Sequence, residues 1–332
     1  MPEGAVAKGP EHASVDQTST PCVLFVPAYN EASRILRCLD SMVNQQLPAG
    51  CVWREWVVFA GGSTDGTAQL VANWAAHHDR SSAPPVRVNA DPMCWSKADK
   101  LATCHAELVA AGRRGETVVI IDADLAALPG AVEKLLQPLS GDPELAVVWG
   151  ADFIDDRSWG RRGSAFQLEA CDRPARLRGN RAPRAYGRFL AYRVQPLAEF
   201  TWQTGMVVED TQLSAFALAH NLPVISAFDA QVLVTQPRGY EDFYLRTYRG
   251  YRALDVARGS TPRAESRISI ATTNVRAFGA TASSDPVGAC CYAVARAIAA
   301  VKHHRRRLEF TDQYPQASST KGPVEGRPSA HS

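Results

Sequence analysis

Two carboxylates one residue apart, Asp122 and Asp124, end the apolar run in "TVVIIDADLAALPG". A short, uninterrupted apolar run predicts a buried strand. In chain that stays extended past the strand, the two aspartates point to the same side. Such a pair repels itself unless positive charge lies between, and a hard divalent cation bridging to a diphosphate supplies it. Mg2+ commonly takes one or two carboxylates plus phosphate oxygens. The plainer reading has one aspartate capping a helix near Pro129 and the other in solvent. A second acid pair, Glu209 and Asp210, stands in "MVVEDTQLS". It either complements a helix dipole, worth about 0.3–1 kcal/mol, or supplies a general base that deprotonates an attacking hydroxyl. Lys97, in "WSKADKL", opens a helix and suits either a phosphate contact or solvent. Arg246 and Arg249 lie three apart, off a stripe of Tyr244, Tyr248 and Tyr251. They are either a solvated face or a clamp on a diphosphate leaving group.

The stretch "VVFAGGSTDGT" looks like a strand entering a nucleotide-handling turn. Gly61 and Gly62 allow close backbone approach, and Asp65 stands at a helix start.

These residues need strands and helices to position them. "CVLFVP" ends in proline and reads as a buried parallel strand. Ile35, Leu36, Leu39, Met42 and Val43 then recur at helical spacing, with Asn30 as the expected N-cap. "WREWVVF" is a second strand. Ala68, Val71 and Trp74 mark a second helix, and Leu101, Cys104, Leu108 and Ala111 a third. "LPVISAF" and "QVLVT" read as two later strands. Strands alternating with helices imply a doubly wound parallel sheet, whose ligands sit beyond the carboxyl ends of the strands. "PAYNE", "AGGSTDG" and "DADL" all fall at such ends.

Taken in chain order, these motifs resemble glycosyltransferase family 2, the inverting nucleotide-sugar enzymes. "VPAYNE", "GSTDGT", "SKADKLA", "DADL", "GRFLAYR" and "VEDTQL" carry the resemblance from Val23 to about Leu254. It implies a GT-A fold: α/β, a doubly wound, mostly parallel Rossmann-like sheet with helices on both faces, plus a C-terminal helical appendage. It also implies roles. Pro27, Tyr29 and Glu31 line the nucleotide pocket, with Gly61, Gly62, Ser63 and Asp65 at its corner. Lys97 approaches the donor diphosphate or ribose. Asp122 faces the ribose side and the metal, Asp124 holds Mg2+ or Mn2+, and Asp210 is the catalytic base. The expected reaction moves one sugar from a nucleotide-sugar to an acceptor hydroxyl with inversion.

Three departures qualify the match. The family's acid pair before "GS", one member of which commonly hydrogen-bonds uracil in its UDP-sugar users, is Ala60-Gly61 here, which leaves the base open; a UDP-sugar is the favoured donor. Ser96 also replaces a usual glycine. Only Arg246, Tyr248 and Arg249 resemble the QxxRW motif of processive members, which favours single addition. A retaining enzyme of the glucosyl-phosphoglycerate synthase type shares "PAxNE" and "GSTD". A non-catalytic sugar-nucleotide-binding module is the other alternative. No glycine-rich nucleotidyltransferase loop follows the first strand.

Composition bounds the rest. The 332 residues carry a net charge of +2 and 45% apolar residues, enough for a sizeable core. Eight cysteines form no CxxC pair, and "MPEGAVAKGPEHASVDQTSTP" lacks a signal peptide's basic start and apolar core. A cytoplasmic setting is expected, with at most peripheral membrane contact. Ten arginines against two acids between Arg157 and Arg193 suggest an acidic, phosphorylated or membrane-borne acceptor, or else ordinary surface pairing. The basic residues lack interleaved aromatics, against nucleic-acid binding. "VGACCYAVARAIAAV" reads as a packed helix with a solvated basic end, "KHHRRR", or as a helix on an anionic membrane. The expected organisation is a disordered tail at 1–20, a nucleotide-sugar half at 21–150, an acceptor half at 151–256, a helical appendage at 257–310 and a disordered tail at 311–332.

Overall fold

The computed structural model describes residues 19–77, 84–91, 96–153, 185–203, 209–234 and 278–307, with scattered positions between 163 and 176. Arg246, Arg249, the tyrosine stripe and most of the arginine-rich segment lie outside these, as do residues 1–18 and 308–332.

Strand β1 (Thr20–Pro27) is an interior strand of the sheet, third from one edge. Its residues Cys22 to Val26 have no exposed surface, which is why the run carries no polar residue. Alternate side chains enter different cores. Leu24 and Val26 pack with α1 (Ile35–Val43), while Val23 and Phe25 pack with α3 (Lys97–Ala110). β1 pairs in parallel with β2 (Cys51–Phe59) on one side and β4 (Thr117–Ile121) on the other. β2 leads through α2 (Thr67–His77) to edge strand β3 (Val86–Asn89). The chain then returns across β1 to β4. The gap between the ends of β1 and β4 is therefore the point where strand order reverses, the usual crevice for a ligand.

Beyond β4 the sheet is mixed. Short β5 (Leu125–Ala127), helix α4 (Ala131–Gly141) and β6 (Val147–Phe153) follow. β7 (Phe189–Arg193) then runs antiparallel between β4 and β6. Helix α5 (Glu209–Ala219) and β8 (Val224–Val234) come next, and the eight strands lie in the order β3-β2-β1-β4-β7-β6-β8-β5. Among the described residues four pairings are parallel and three antiparallel. Helix α6 (Pro286–Arg307) forms the helical C-terminal part.

Three local expectations change. Asn30 is not the N-cap of α1. That helix starts at Ile35 after Arg34, and Asn30 sits at φ 52°. Its Oδ1 instead accepts from the Thr64 N–H at 2.8 Å. "LPVISAF" and "QVLVT" form one strand, β8. Its register against β6 jumps from Ala227 to Gln231 where β6 advances by one residue. The intervening "FDA" is a bulge, which sequence pattern reads as a break. The Asp122–Asp124 segment is a turn rather than extended chain, closed by Leu125 N–H to Asp122 C=O at 3.1 Å.

His105 of α3 reports on the second core. Its Nε2 lies 2.8 Å from the Leu197 carbonyl, which can only accept, so Nε2 carries the proton. Nδ1 then accepts from the Tyr192 hydroxyl at 3.2 Å. Burial pushes this imidazole below its ordinary value, partly offset by the Leu197 bond. The unfolded chain therefore takes up the proton first, and stability is lost as pH falls through about 6.5. Melting temperature should drop over this range, and His105→Gln should flatten that part of the profile.

Candidate active site

The site forms around the crevice between β1 and β4. The loop after β1 carries Tyr29, Asn30, Glu31 and Arg34. The turn after β2 is laced onto it. Ser63 Oγ accepts from the Asn30 N–H at 3.1 Å, and Asp65 Oδ2 from the Ala32 N–H at 2.9 Å. Thr67 Oγ1 accepts from the Glu31 N–H at 2.9 Å and donates to Asp65 Oδ1 at 2.5 Å. These bonds hold the Asp65 carboxyl below its usual value against the opposing effect of burial. Ser63 N–H reaches Ala60 C=O at 3.2 Å across the turn, and Gly62 adopts φ 73°, a region that favours glycine. Ala60 is buried, so its methyl group belongs to the packing beneath the turn.

Lys100 lies beneath the same loop and is 1% exposed. Its Nζ donates to the Ala28 carbonyl at 2.5 Å and lies 5.6 Å from the centre of the Tyr29 ring. Sequence reading missed it. The available signal was its position beside Leu101 and Cys104 on the buried face of α3.

Lys97 is the first residue of α3. Ser96 and Asp99 set it there through a reciprocal capping box: Ser96 Oγ accepts from Asp99 N–H, and Asp99 Oδ2 from Ser96 N–H, both at 3.0 Å. The serine at the glycine-type position is thus a cap. From this base Lys97 Nζ reaches Asp122 Oδ1 at 2.6 Å, the Gly187 carbonyl at 2.6 Å and Glu209 Oε1 at 3.1 Å. One ammonium joins α3, the turn after β4, the approach to β7 and the start of α5. Burial opposes its charge, but the two carboxylates raise its pKa well above the usual range.

Gly187 makes this convergence possible. A Cβ there would lie 3.0 Å from Glu209 Oε1 and 3.1 Å from Asp210 Cβ. Asp122 N–H bonds the Arg188 carbonyl at 2.9 Å, which brings the acid turn alongside. Sequence reading named neither Gly187 nor Arg188 as part of the site. Arg188 pairs with Asp152 at 2.6 Å, and Arg34 reaches Asp124 at 3.7 Å and Glu31 at 3.4 Å.

Negative charge exceeds positive here. Asp122, Asp124, Asp152, Glu209 and Asp210 face Lys97, Arg34 and Arg188. Burial, above all, raises Asp122, Asp152 and Glu209, and neighbouring carboxylates add to each shift. A surplus of carboxylates resisting ionisation fits a divalent cation. Among the described residues no three of His, Cys, Asp and Glu gather as a complete ligand set. Asp122 and Asp124 would supply the protein ligands and a diphosphate the rest, as hard cations accept.

Three of the four described arginines of the basic segment serve the protein itself. Arg176 stacks on Phe228 at 3.9 Å, Arg188 pairs with Asp152, and Arg193 donates to the Leu145 and Leu139 carbonyls.

An α/β sheet with an acid turn at its switch point agrees with the GT-A fold that the sequence motifs imply. The sequence matches Glycosyl transferase family 2 over residues 23–201, more than half of the chain, and the chain belongs to that family. Among solved structures it is similar to the mannosyltransferase PcManGT from Pyrobaculum calidifontis, in complex with GDP-Man and Mn2+. That likeness has 23% identity and a TM-score of 0.56, covering 91% of this chain and 83% of that one. A weaker likeness is to GalNAc-T7 with UDP, GalNAc and Mn2+, at 12% identity and a TM-score of 0.47. It covers 68% of this chain and 45% of that one. No curated protein matches.

Proposed function

We propose that the protein is a metal-dependent, inverting, non-processive glycosyltransferase that moves one hexosyl group from a nucleotide-sugar to an acceptor hydroxyl in the cytoplasm. One observation carries this reading: Lys97 Nζ holds Asp122 and Glu209 at 2.6 and 3.1 Å, so the acid turn and the start of α5 meet at one point. Glu209 is committed to that lysine. Asp210, the next residue, lies over Gly187 and takes the base's role.

Pro27, Tyr29, Glu31 and the turn at Gly61, Gly62, Ser63 and Asp65 form the nucleotide side. Asp122 and Asp124 would hold Mg2+ or Mn2+; when bound, the cation neutralises charge on the departing diphosphate. Asp210 accepts the acceptor hydroxyl's proton as its oxygen attacks the anomeric carbon. The bond from that carbon to the diphosphate oxygen breaks on the opposite face, and the configuration inverts. A UDP-sugar is the favoured donor. GDP-mannose is the second to test, because PcManGT was solved with it.

Proton NMR of the fresh product tests the stereochemistry. An α-linked donor should yield a β-linked product. An α-linked product would replace this mechanism with a retaining one.

A further inference from the structure

We infer that helix α6 docks on an anionic lipid surface and lies along it. The packing fixes which face is available. Asp285 Oδ1 accepts from the Gly288 N–H at 3.0 Å and caps the helix, with Pro286 at its first position. Ala295 is fully buried, and Tyr292 meets Phe166 and Phe278 at centroid distances of 5.5 and 6.2 Å. Gly288, Tyr292 and Ala295 therefore face the protein. The opposite face carries Cys290, Ala293, Val294, Ala297, Ile298 and Val301, all exposed. Val294 and Val301 are each 53% exposed, Ile298 37%, and neighbouring Phe278 40%.

A surface helix ordinarily turns its apolar face inward and its polar face to water. Here both faces are apolar, the exposed one over about three turns. A continuous exposed apolar strip of this kind marks a docking surface.

Charge selects the occupant. Residues 286–307 contain no Asp or Glu, while Arg296, Lys302, Arg305, Arg306 and Arg307 are basic. Four of the six residues in "KHHRRR" are Lys or Arg, so positive charge is concentrated at that end of the sequence of α6. A second copy packed in parallel would set two such ends together. Packed antiparallel, each basic end would meet the start of the other helix, where Asp285 is buried and already caps it. Anionic headgroups supply the missing countercharge at the depth where the apolar strip would sit. Among the described residues no helix is long and apolar enough to cross a membrane, so the helix lies on the surface.

The test uses the full chain and sedimentation with vesicles. Vesicles of phosphatidylglycerol and phosphatidylcholine should capture the protein at least about tenfold better than phosphatidylcholine alone. The double variant V294D/I298D should lose that capture at unchanged melting temperature. If it misfolds, R305E/R306E/R307E provides the same reading from the charged end. No capture by anionic vesicles overturns the inference, as does equal capture by wild type and a folded variant. A concentration-dependent dimer abolished by V294D/I298D would also overturn it, assigning the strip to a second copy. None of these readouts depends on sugar transfer.

Discussion

Asp210→Asn should slow sugar transfer by about 10²–10⁴-fold, the range for loss of a positioned general base. The amide keeps the size of the side chain but cannot take the acceptor's proton. Because Asp210 Cβ packs over Gly187 and the adjoining salt bridge belongs to Glu209, the substitution leaves the Lys97 cluster intact. Melting temperature and nucleotide affinity should hold while kcat falls. A variant retaining more than about a tenth of wild-type kcat would move the base elsewhere. Glu209→Gln would be a poorer probe. It weakens one partner of a partly buried ammonium, so a loss of activity would mix chemistry with stability.

Asp124→Ala should abolish the stabilisation conferred by Mn2+ together with a nucleoside diphosphate. In the wild type, a ligand at about 100 times its Kd adds roughly 2.7 kcal/mol, a shift easily read in a thermal melt. Asp124 is the better probe of the acid turn. Asp122 sits 2.6 Å from Lys97, and removing it would take one of two carboxylate partners from an ammonium that joins four segments. Asp124 is 35% exposed, and Arg34 keeps Glu31 at 3.4 Å without it. Removing one of several crowded carboxylates also relieves repulsion, so the variant alone should melt no lower than wild type. Full Mn2+-dependent stabilisation by UDP or GDP in this variant would exclude Asp124 as a ligand. Absence of stabilisation in the wild type would remove the donor site itself.

Paired cations and upward-shifted carboxyls together explain how the site tolerates so many acids before ligands arrive. Lys97, Arg34 and Arg188 each bind one or more acids, yet burial and neighbouring carboxylates still push Asp122, Asp152 and Glu209 upward. A cation would lower all three. A metal bound at the proposed site would thereby be coupled to the ionisation of the carboxylates around it.

The amino-acid sequence by itself determined the buried strands and the residues at their ends. "CVLFVP" and "TVVII" are legible because a strand covered on both faces needs apolar residues at every position. The polar residues that follow them mark the edge at which the proposed site forms. The helices of the first half are legible for a similar reason: Ile35, Leu39 and Met42, or Leu101, Cys104 and Leu108, repeat with the pitch of the helix.

Only the tertiary structure decided what those residues touch. An apolar run does not state its direction, so the antiparallel insertion of β7 between β4 and β6 left no local trace. Nor did the bulge that joins two apparent strands into β8. Asn30 looked like a cap because its neighbours along the chain suited one, but its partner is Thr64, 34 residues away. Lys97 meets Gly187 across 90 residues, and Lys100 meets Ala28 across 72. Periodicity records how each residue divides its surface between core and water within its own element. Which charged groups share a crevice depends on strand order and crossover connections, a property of the assembled sheet that no local stretch of sequence encodes.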